Sequence, residues 1–253
     1  MTAPATRRRV AFLMLATGVF GVLTIVAMLV YDGGSLFDSG ARHYQFFGNF
    51  FSDLGATVTY SGRTNIASRA LFVVALTSVG VAFAWSAPAW RCWAVRDAAH
   101  IATTLTRVAA ISSGLGFIGI AVTPPNSARN AHIALVQITF TLLLVFVANL
   151  VVVQARNGIP RRWIATNVAL LVLLGAYVVL VIGGPNLNSF DGARIQIVAQ
   201  KIVVYAAILD LSFQAWGITR LSSPSRAAGD RPRSSIVPAA ARGLMRPAPG
   251  RRV

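Results

Sequence analysis

The chain has 253 residues, of which 55% are hydrophobic and 12% charged, and its mean hydropathy is +0.65. This composition excludes a soluble globular domain, which carries about 25% charged residues, and a disordered chain, which is poor in apolar residues. The 23 basic residues are 22 Arg and one Lys, against seven Asp and no Glu. A net charge of +16 is compatible with nucleic-acid binding. The positions of the arginines along the chain decide whether they serve that function or orient a membrane protein. The single cysteine, Cys92, excludes an internal disulfide and a cysteine-based zinc site.

Six apolar segments are long enough to cross a bilayer as helices. The first follows Arg7, Arg8 and Arg9; it is longer than a secretory signal's apolar region and lacks its cleavage site, which favours a retained helix. The segments cover residues 10–31, 70–90, 102–123, 131–154, 163–182 and 195–219. The sequence therefore predicts an all-α, polytopic membrane bundle over 10–220, after a cytoplasmic N-terminus at 1–9.

The arginines give this bundle an orientation. With the N-terminus inside the cell, 17 basic residues lie on the cytoplasmic side and six on the other side. Cytoplasmic loops carry the excess of Lys and Arg in membrane proteins. We therefore expect a multi-pass protein of the plasma membrane with both termini in the cytoplasm.

The segment 221–253 is rich in Pro, Arg, Ser and Ala and has little apolar periodicity, so we expect a disordered tail. Its seven arginines could contact anionic lipid, or could serve only to orient the protein. Nucleic-acid binding is disfavoured, because no aromatic residues or folded module accompany the arginines. The expected partners are membrane lipids, and the oligomeric state is left open.

Two ionisable residues stand inside predicted spans on the cytoplasmic side. Asp210 lies about 14 Å from the end of the sixth segment, at a rise of 1.5 Å per residue, and Arg107 lies on the third. Charged groups at such depth usually face a partner or a cavity. We expect Arg107 and Asp210 to pair and so lock the two helices together, with a proton relay as the alternative.

A cluster of polar residues is expected on the outer face. The connection 32–69 is too long for a simple turn, and it contains a polar Ser-Asp pair between apolar residues. Polar groups from four helix ends would lie at the same depth and form a convergent pocket. Asn65 is also the expected N-cap of the second helix. The candidate ligand-binding residues are Asn49, Ser52, Asp53, Asn65, Arg69, His132, Gln200 and Lys201.

The stretch Asn49-Phe50-Phe51-Ser52-Asp53-Leu54-Gly55, followed by Asn65, resembles prokaryotic membrane proteins classed as domain of unknown function 998. It is more distantly similar to the eukaryotic Frag1/DRAM/Sfk1 membrane proteins. Segments 116–132 and 192–201 also resemble that family, although Lys201 stands where an Arg is usual. The resemblance implies a six-helix membrane fold over about 10–219 and, through the eukaryotic proteins, a connection with lipids.

Two functions follow as hypotheses. In the first, a non-enzymatic protein binds or senses a lipid headgroup, with Arg69 and Lys201 on the phosphate and Asp53 and His132 orienting them. In the second, a lipid hydrolase or transferase uses His132 as general base, Asp53 as its orienter or as an acid, and Ser52 as the nucleophile. Ser52 and Asp53 are adjacent in the sequence, however, so a Ser-His-Asp triad that uses both of them with His132 is geometrically awkward. One His with scattered Asp residues is a poor metal site, so neither a metal nor another cofactor is expected.

The orientation can be tested at Cys92, which lies on a predicted cytoplasmic loop. In intact cells, a membrane-impermeant maleimide should leave Cys92 unlabelled. The same reagent should label it after permeabilisation. Labelling in intact cells would show that the orientation in the membrane is the reverse of the predicted one.

Overall fold

The computed structural model describes residues 3–94, 100–185 and 187–221, and within these ranges the secondary structure is helical apart from two isolated bridges. Six long helices are present, and all six are long and apolar enough to span a membrane. The all-α prediction is confirmed. The helices are α1 (Ala3–Leu29), α2 (Ile66–Ser86), α3 (His100–Val122), α4 (Arg129–Arg156), α5 (Arg161–Gly183) and α6 (Phe190–Leu221), with 3-10 helices η1 (Phe51–Gly55) and η2 (Ala87–Trp93).

The helices extend beyond the predicted apolar segments. Residues 3–9 belong to α1, so the predicted N-terminal segment 1–9 is largely helical. Helix α6 has 32 residues, or about 48 Å, which exceeds the ~30 Å hydrocarbon core of a bilayer. Apolar patterning marks the part of a helix that fits in lipid, whereas the helix itself continues into polar flanks. The predicted disordered tail lies outside the described residues from position 222 onward.

The six helices form a closed ring. Each packs against the next in chain order, and α6 packs against both α5 and α1. The ring interior is filled by large apolar side chains, including the buried Phe20, Phe83, Leu143 and Phe146. One end of the ring carries the connections 30–65, 123–128 and 184–189, and is called the loop end. The opposite end, where α1 begins and α6 ends, is called the terminus end.

Glycines let α3 approach both neighbours, α2 and α4, closely. A Cβ placed on Gly114 would lie 2.5 Å from the carbonyl oxygen of Gly80 on α2. A Cβ on Gly116 would overlap the hydroxyl of Thr139 on α4. Since lipid gives helices no hydrophobic drive to associate, such close packing is a main source of their attraction.

Asp210 lies in a polar network near the terminus end, on α6. Gln214 donates to its Oδ1 at 3.4 Å and also to the Thr166 hydroxyl on α5 at 3.0 Å. Gln154 on α4 donates to Gln214 at 2.8 Å, so the network joins α4, α5 and α6. The predicted partner, Arg107, lies on α3, which is not adjacent to α6 in the ring.

The expected pairing of Arg107 with Asp210 is therefore not seen. The guanidinium Nε of Arg107 is buried without a hydrogen-bond partner, and no ion pair joins the two described residues. Sequence position gave the correct end of the bundle for both side chains. It could not give the order of helices around the ring, which separates them.

The close crossing of α2 and α3 predicts the effect of one added methyl group. Gly114→Ala should destabilise the protein by about 1–3 kcal/mol, because neither backbone can retreat within a packed ring. Gly18→Ala is the matched control, since nothing lies within 4 Å of a Cβ there. The measurement is the thermal unfolding midpoint in an uncharged detergent. Equal midpoints for the two variants would contradict the close crossing.

Candidate ligand cavity

The helix η1 is a buried single turn that packs against the loop end of the ring. Its Phe51 and Leu54 are buried, and the Phe51 ring stacks on Phe20 of α1 with centroids 5.7 Å apart. On the α2 side, the Asn65 amide donates to the carbonyls of Leu54 and Ala56 at 3.1 and 3.0 Å. The Ser-Asp stretch of the long connection thus forms a tight element against the helix ends.

Asn65 does not act as predicted. It occupies the N-cap position of α2, but its side chain makes no capping hydrogen bond. A one-turn helix leaves carbonyl groups without partners inside the helix, and buried carbonyls need a donor. The amide of Asn65 satisfies two of those carbonyls instead of the first N–H groups of α2. Its role is thus to fasten η1 to α2.

The carboxylate of Asp53 is 5% exposed and organises the start of η1. Its Oδ2 accepts hydrogen bonds from the backbone N–H of Phe50 at 2.8 Å and from the Asn49 amide at 3.2 Å. Burial raises the pKa of Asp53 to about 6, although the two hydrogen bonds and the charge of Lys201 oppose the rise. Oδ1 makes no hydrogen bond within the described part of the chain.

Two consecutive side chains of α6 hold the connection in place. The Gln200 Oε1 accepts the backbone N–H of Phe51 at 2.7 Å, and the Lys201 Nζ donates to the Asn49 carbonyl. Lys201 is 2% exposed, and its ammonium lies over the rings of Tyr44 and Phe46, 5.4 and 5.1 Å from their centroids. Such cation–π contacts partly replace lost hydration. Lys201 is therefore enclosed by the connection and is not available to a ligand.

A cavity of about 660 Å³ lies at the loop end between η1 and the helices α4, α5 and α6. A volume in this range is typical of small-molecule sites. Its wall combines aliphatic and aromatic side chains with amides, one carboxylate and one guanidinium. The lining residues are Tyr31, Leu36, Phe50, Ser52, Asp53, Ala56, Val58, Thr59, Tyr60, Pro125, Asn126, Arg129, His132, Ile133, Val136, Tyr177, Val181, Leu187, Asn188, Gln196 and Gln200.

A second cavity, of about 60 Å³, lies in the ring interior beneath η1. Its wall is almost wholly apolar and includes Phe117, Phe140 and Leu211. Ser52 and Gln200 line both cavities. The larger cavity therefore adjoins apolar space within the bundle.

His132 lines the larger cavity from the first turn of α4 and is 4% exposed. Its Nδ1 lies 2.6 Å from the carbonyl oxygen of Thr123. Because a carbonyl can only accept, Nδ1 must carry the proton of this bond. Nε2 on the opposite edge of the ring is buried and has no partner in the protein. A proton there would lack an acceptor, so the imidazole is held as an acceptor at Nε2.

Four of the eight predicted site residues line the larger cavity: Ser52, Asp53, His132 and Gln200. Asn49 and Lys201 are instead used within the protein, where Asn49 also donates to Gly34 and accepts from the N–H of Gln45. Asn65 fastens η1, and Arg69 is half-buried on α2 and lines neither cavity. The cation at the cavity is Arg129, which was not among the candidates.

Part of this arrangement was available in the sequence. Arg129 precedes His132 by three residues, and side chains three apart share a helix face. That spacing placed both residues on one face of α4. The contributions of Tyr177 and Gln196 carry no such signal, because they depend on how α5 and α6 pack against α4.

A scan against protein-family models, a search of curated proteins and a search of solved structures each found no match to this chain. Within the ranges that the structure describes, no three His, Cys, Asp or Glu side chains form a group able to hold a metal ion. The chemistry of the cavity is therefore judged from its lining residues.

The raised pKa of Asp53 predicts a pH dependence of stability. The folded protein keeps this proton up to about pH 6, whereas an unfolded chain releases it near pH 3.9. The folded state thus binds more protons between these values, and the contribution of Asp53 to stability falls as pH rises through this window. In Asp53→Asn, this part of the pH dependence should be lost.

The measurement is the thermal midpoint at pH 4, 5, 6 and 7 in an uncharged detergent. Asp191→Asn, at an exposed position at the start of α6, is the control and should retain the wild-type dependence. An unchanged pH profile in Asp53→Asn would show that Asp53 does not titrate in this window.

Proposed function

We propose that this chain is a membrane-embedded binding protein whose loop-end cavity takes the phosphate-bearing headgroup of a lipid. The observation that carries this proposal is a cavity of about 660 Å³ that joins apolar walls to an arginine and a buried histidine at the ends of apolar helices. Helix ends of a spanning bundle lie at the depth of lipid headgroups.

The charges support an anionic ligand. Asp53 and Lys201 are buried near each other with opposite charges, so they largely offset one another. Arg129 is exposed and lines the cavity, which leaves one uncompensated positive charge there. Guanidinium groups match phosphate oxygens through paired, charge-assisted hydrogen bonds. Arg129 thus takes the role that the sequence analysis gave to Arg69 and Lys201.

The hydrolase or transferase alternative has less support. A Ser-His-Asp mechanism needs the histidine oriented by the acid and within hydrogen-bond reach of the nucleophile. Here the Nδ1 of His132 is bound by the Thr123 carbonyl, and Asp53 is bound by Asn49 and Phe50. No hydrogen bond joins Ser52 to His132 in the described part of the chain. Binding therefore requires fewer rearrangements than catalysis.

The proposal includes a location. We propose that the loop end lies on the outer face of the plasma membrane and both termini in the cytoplasm, which the uneven distribution of basic residues favours. The cavity would then meet lipid of the outer leaflet. The relationship to the domain of unknown function 998 family is also a proposal, supported by the stretch from Asn49 to Gly55.

Arg129→Gln tests the proposal, because it removes the cation at the cavity while keeping a long polar side chain. We expect the amount of phospholipid retained through purification to fall about tenfold. This factor is equivalent to roughly 1.4 kcal/mol, which is near the lower end of the free energy of a hydrogen bond to a charged group. Native mass spectrometry of protein purified in an uncharged detergent would count bound phospholipid. Arg194→Gln is the matched control, since Arg194 is exposed at the same end and does not line the cavity. Equal retention in both variants and wild type would refute a phosphate site at Arg129.

A further inference from the structure

The unpartnered polar atoms of the cavity restrict which headgroup would fit. His132 is 4% exposed, lines the cavity, and keeps Nε2 as an unpaired acceptor because Nδ1 donates to Thr123. Asp53 also lines the cavity, with Oδ1 unbonded among the described residues. His132 Nε2 is a buried acceptor without a donor, which costs about 1–3 kcal/mol, and the Tyr31 hydroxyl on the same cavity is also buried without a partner. A ligand that supplies donors recovers that cost.

Resting on the proposed function, we infer that the preferred ligand is an anionic phosphodiester lipid whose headgroup carries hydroxyl groups, as phosphoglycerol does. Arg129 binds the phosphodiester, and His132 Nε2 and Asp53 Oδ1 accept hydrogen bonds from the hydroxyls. The chemistry shared by the lipid and its water-soluble fragment is glycerol phosphate. The aliphatic wall at Ile133, Val181 and Leu187 favours the lipid over the free fragment.

The charge count separates this headgroup from an ammonium-bearing one. With Asp53 and Lys201 offsetting each other, the site carries the single charge of Arg129. A phosphoglycerol headgroup brings one negative charge and neutralises the site. A phosphoethanolamine headgroup also offers donors, but it is neutral overall, so it does not neutralise the site, and its ammonium has the same sign of charge as Arg129. A phosphocholine headgroup offers no donor at all.

The test measures the binding of short-chain lipids to the purified full-length protein by isothermal titration calorimetry in an uncharged detergent. The probes are dihexanoylphosphatidylglycerol, dihexanoylphosphatidylmethanol, the corresponding ethanolamine and choline lipids, and free glycerol 3-phosphate. Phosphatidylmethanol is the matched probe, because it has the same phosphodiester and charge without hydroxyls. We expect the glycerol lipid to bind about tenfold more tightly than the methanol lipid, and more tightly than the other three probes.

His132→Asn is the matched variant. The Asn amide can keep a donor toward Thr123, at the position of Nδ1, while the Nε2 acceptor is removed. Binding of the glycerol lipid should weaken toward that of the methanol lipid, with Asp53 Oδ1 still accepting one hydroxyl, and binding of the methanol lipid itself should not change. The comparison of probes on the wild-type protein remains decisive even where the variant is unstable.

Equal binding of the glycerol and methanol lipids, or tighter binding of the ethanolamine or choline lipid, overturns the hydroxyl preference and leaves the lipid-binding proposal standing. Binding of free glycerol 3-phosphate as tightly as the glycerol lipid overturns the lipid as ligand while keeping hydroxyl recognition. Binding of none of the five probes overturns both proposals.

Discussion

The arrangement of the loop end depends on how one buried turn of 3-10 helix satisfies its backbone polar groups. An unpaired backbone group at the end of an apolar bundle costs as much as a lost hydrogen bond, and η1 is too short to pair its own. Partners come from side chains on three sides: Asp53 within the turn, Asn65 on α2 and Gln200 on α6. Lys201 then binds the Asn49 carbonyl just before the turn. The stretch from Asn49 to Gly55, which the sequence offered as part of a candidate site, mainly fixes the connection 30–65 to the helix bundle.

The two ends of the ring are built from different chemistry. All five tryptophans lie at the terminus end, and arginines stack on three of them: Arg9 on Trp85, Arg162 on Trp163 and Arg220 on Trp216, with guanidinium-to-centroid distances of 4.8–5.1 Å. Tryptophan and arginine together are typical of a membrane interface facing anionic headgroups. The loop end instead has Tyr and Phe with a single cation at its cavity. The described arginine–tryptophan contacts thus lie at the terminus end, whereas the larger cavity lies at the loop end.

The sequence predicted the number of helices and their approximate positions, because a bilayer imposes a length and a polarity on each span. It also predicted that Asp53, His132 and Gln200 lie at one end of the bundle. It did not distinguish polar side chains that bind backbone, such as Asn49, Asn65 and Lys201, from those that face space. That difference depends on the path of the connection 30–65, which has little periodicity to read. The separation of Arg107 from Asp210 escaped prediction for a similar reason, because ring order is a property of packing.

The position of the cavity follows from one-sided attachment of η1. The turn packs against α1, α2 and α6, where the Phe20 stack, the Asn65 bonds and the Gln200 bond fix it. Within the described ranges it has no comparable packing toward α4 and α5, and Thr57, just after the turn, pairs with Asn126 of the α3–α4 connection. Space therefore remains between η1 and the first turn of α4, which is where His132 and Arg129 project. The bonds that fix η1 to α2 and α6 thus leave open the volume toward α4 and α5, which Asp53 lines from the turn.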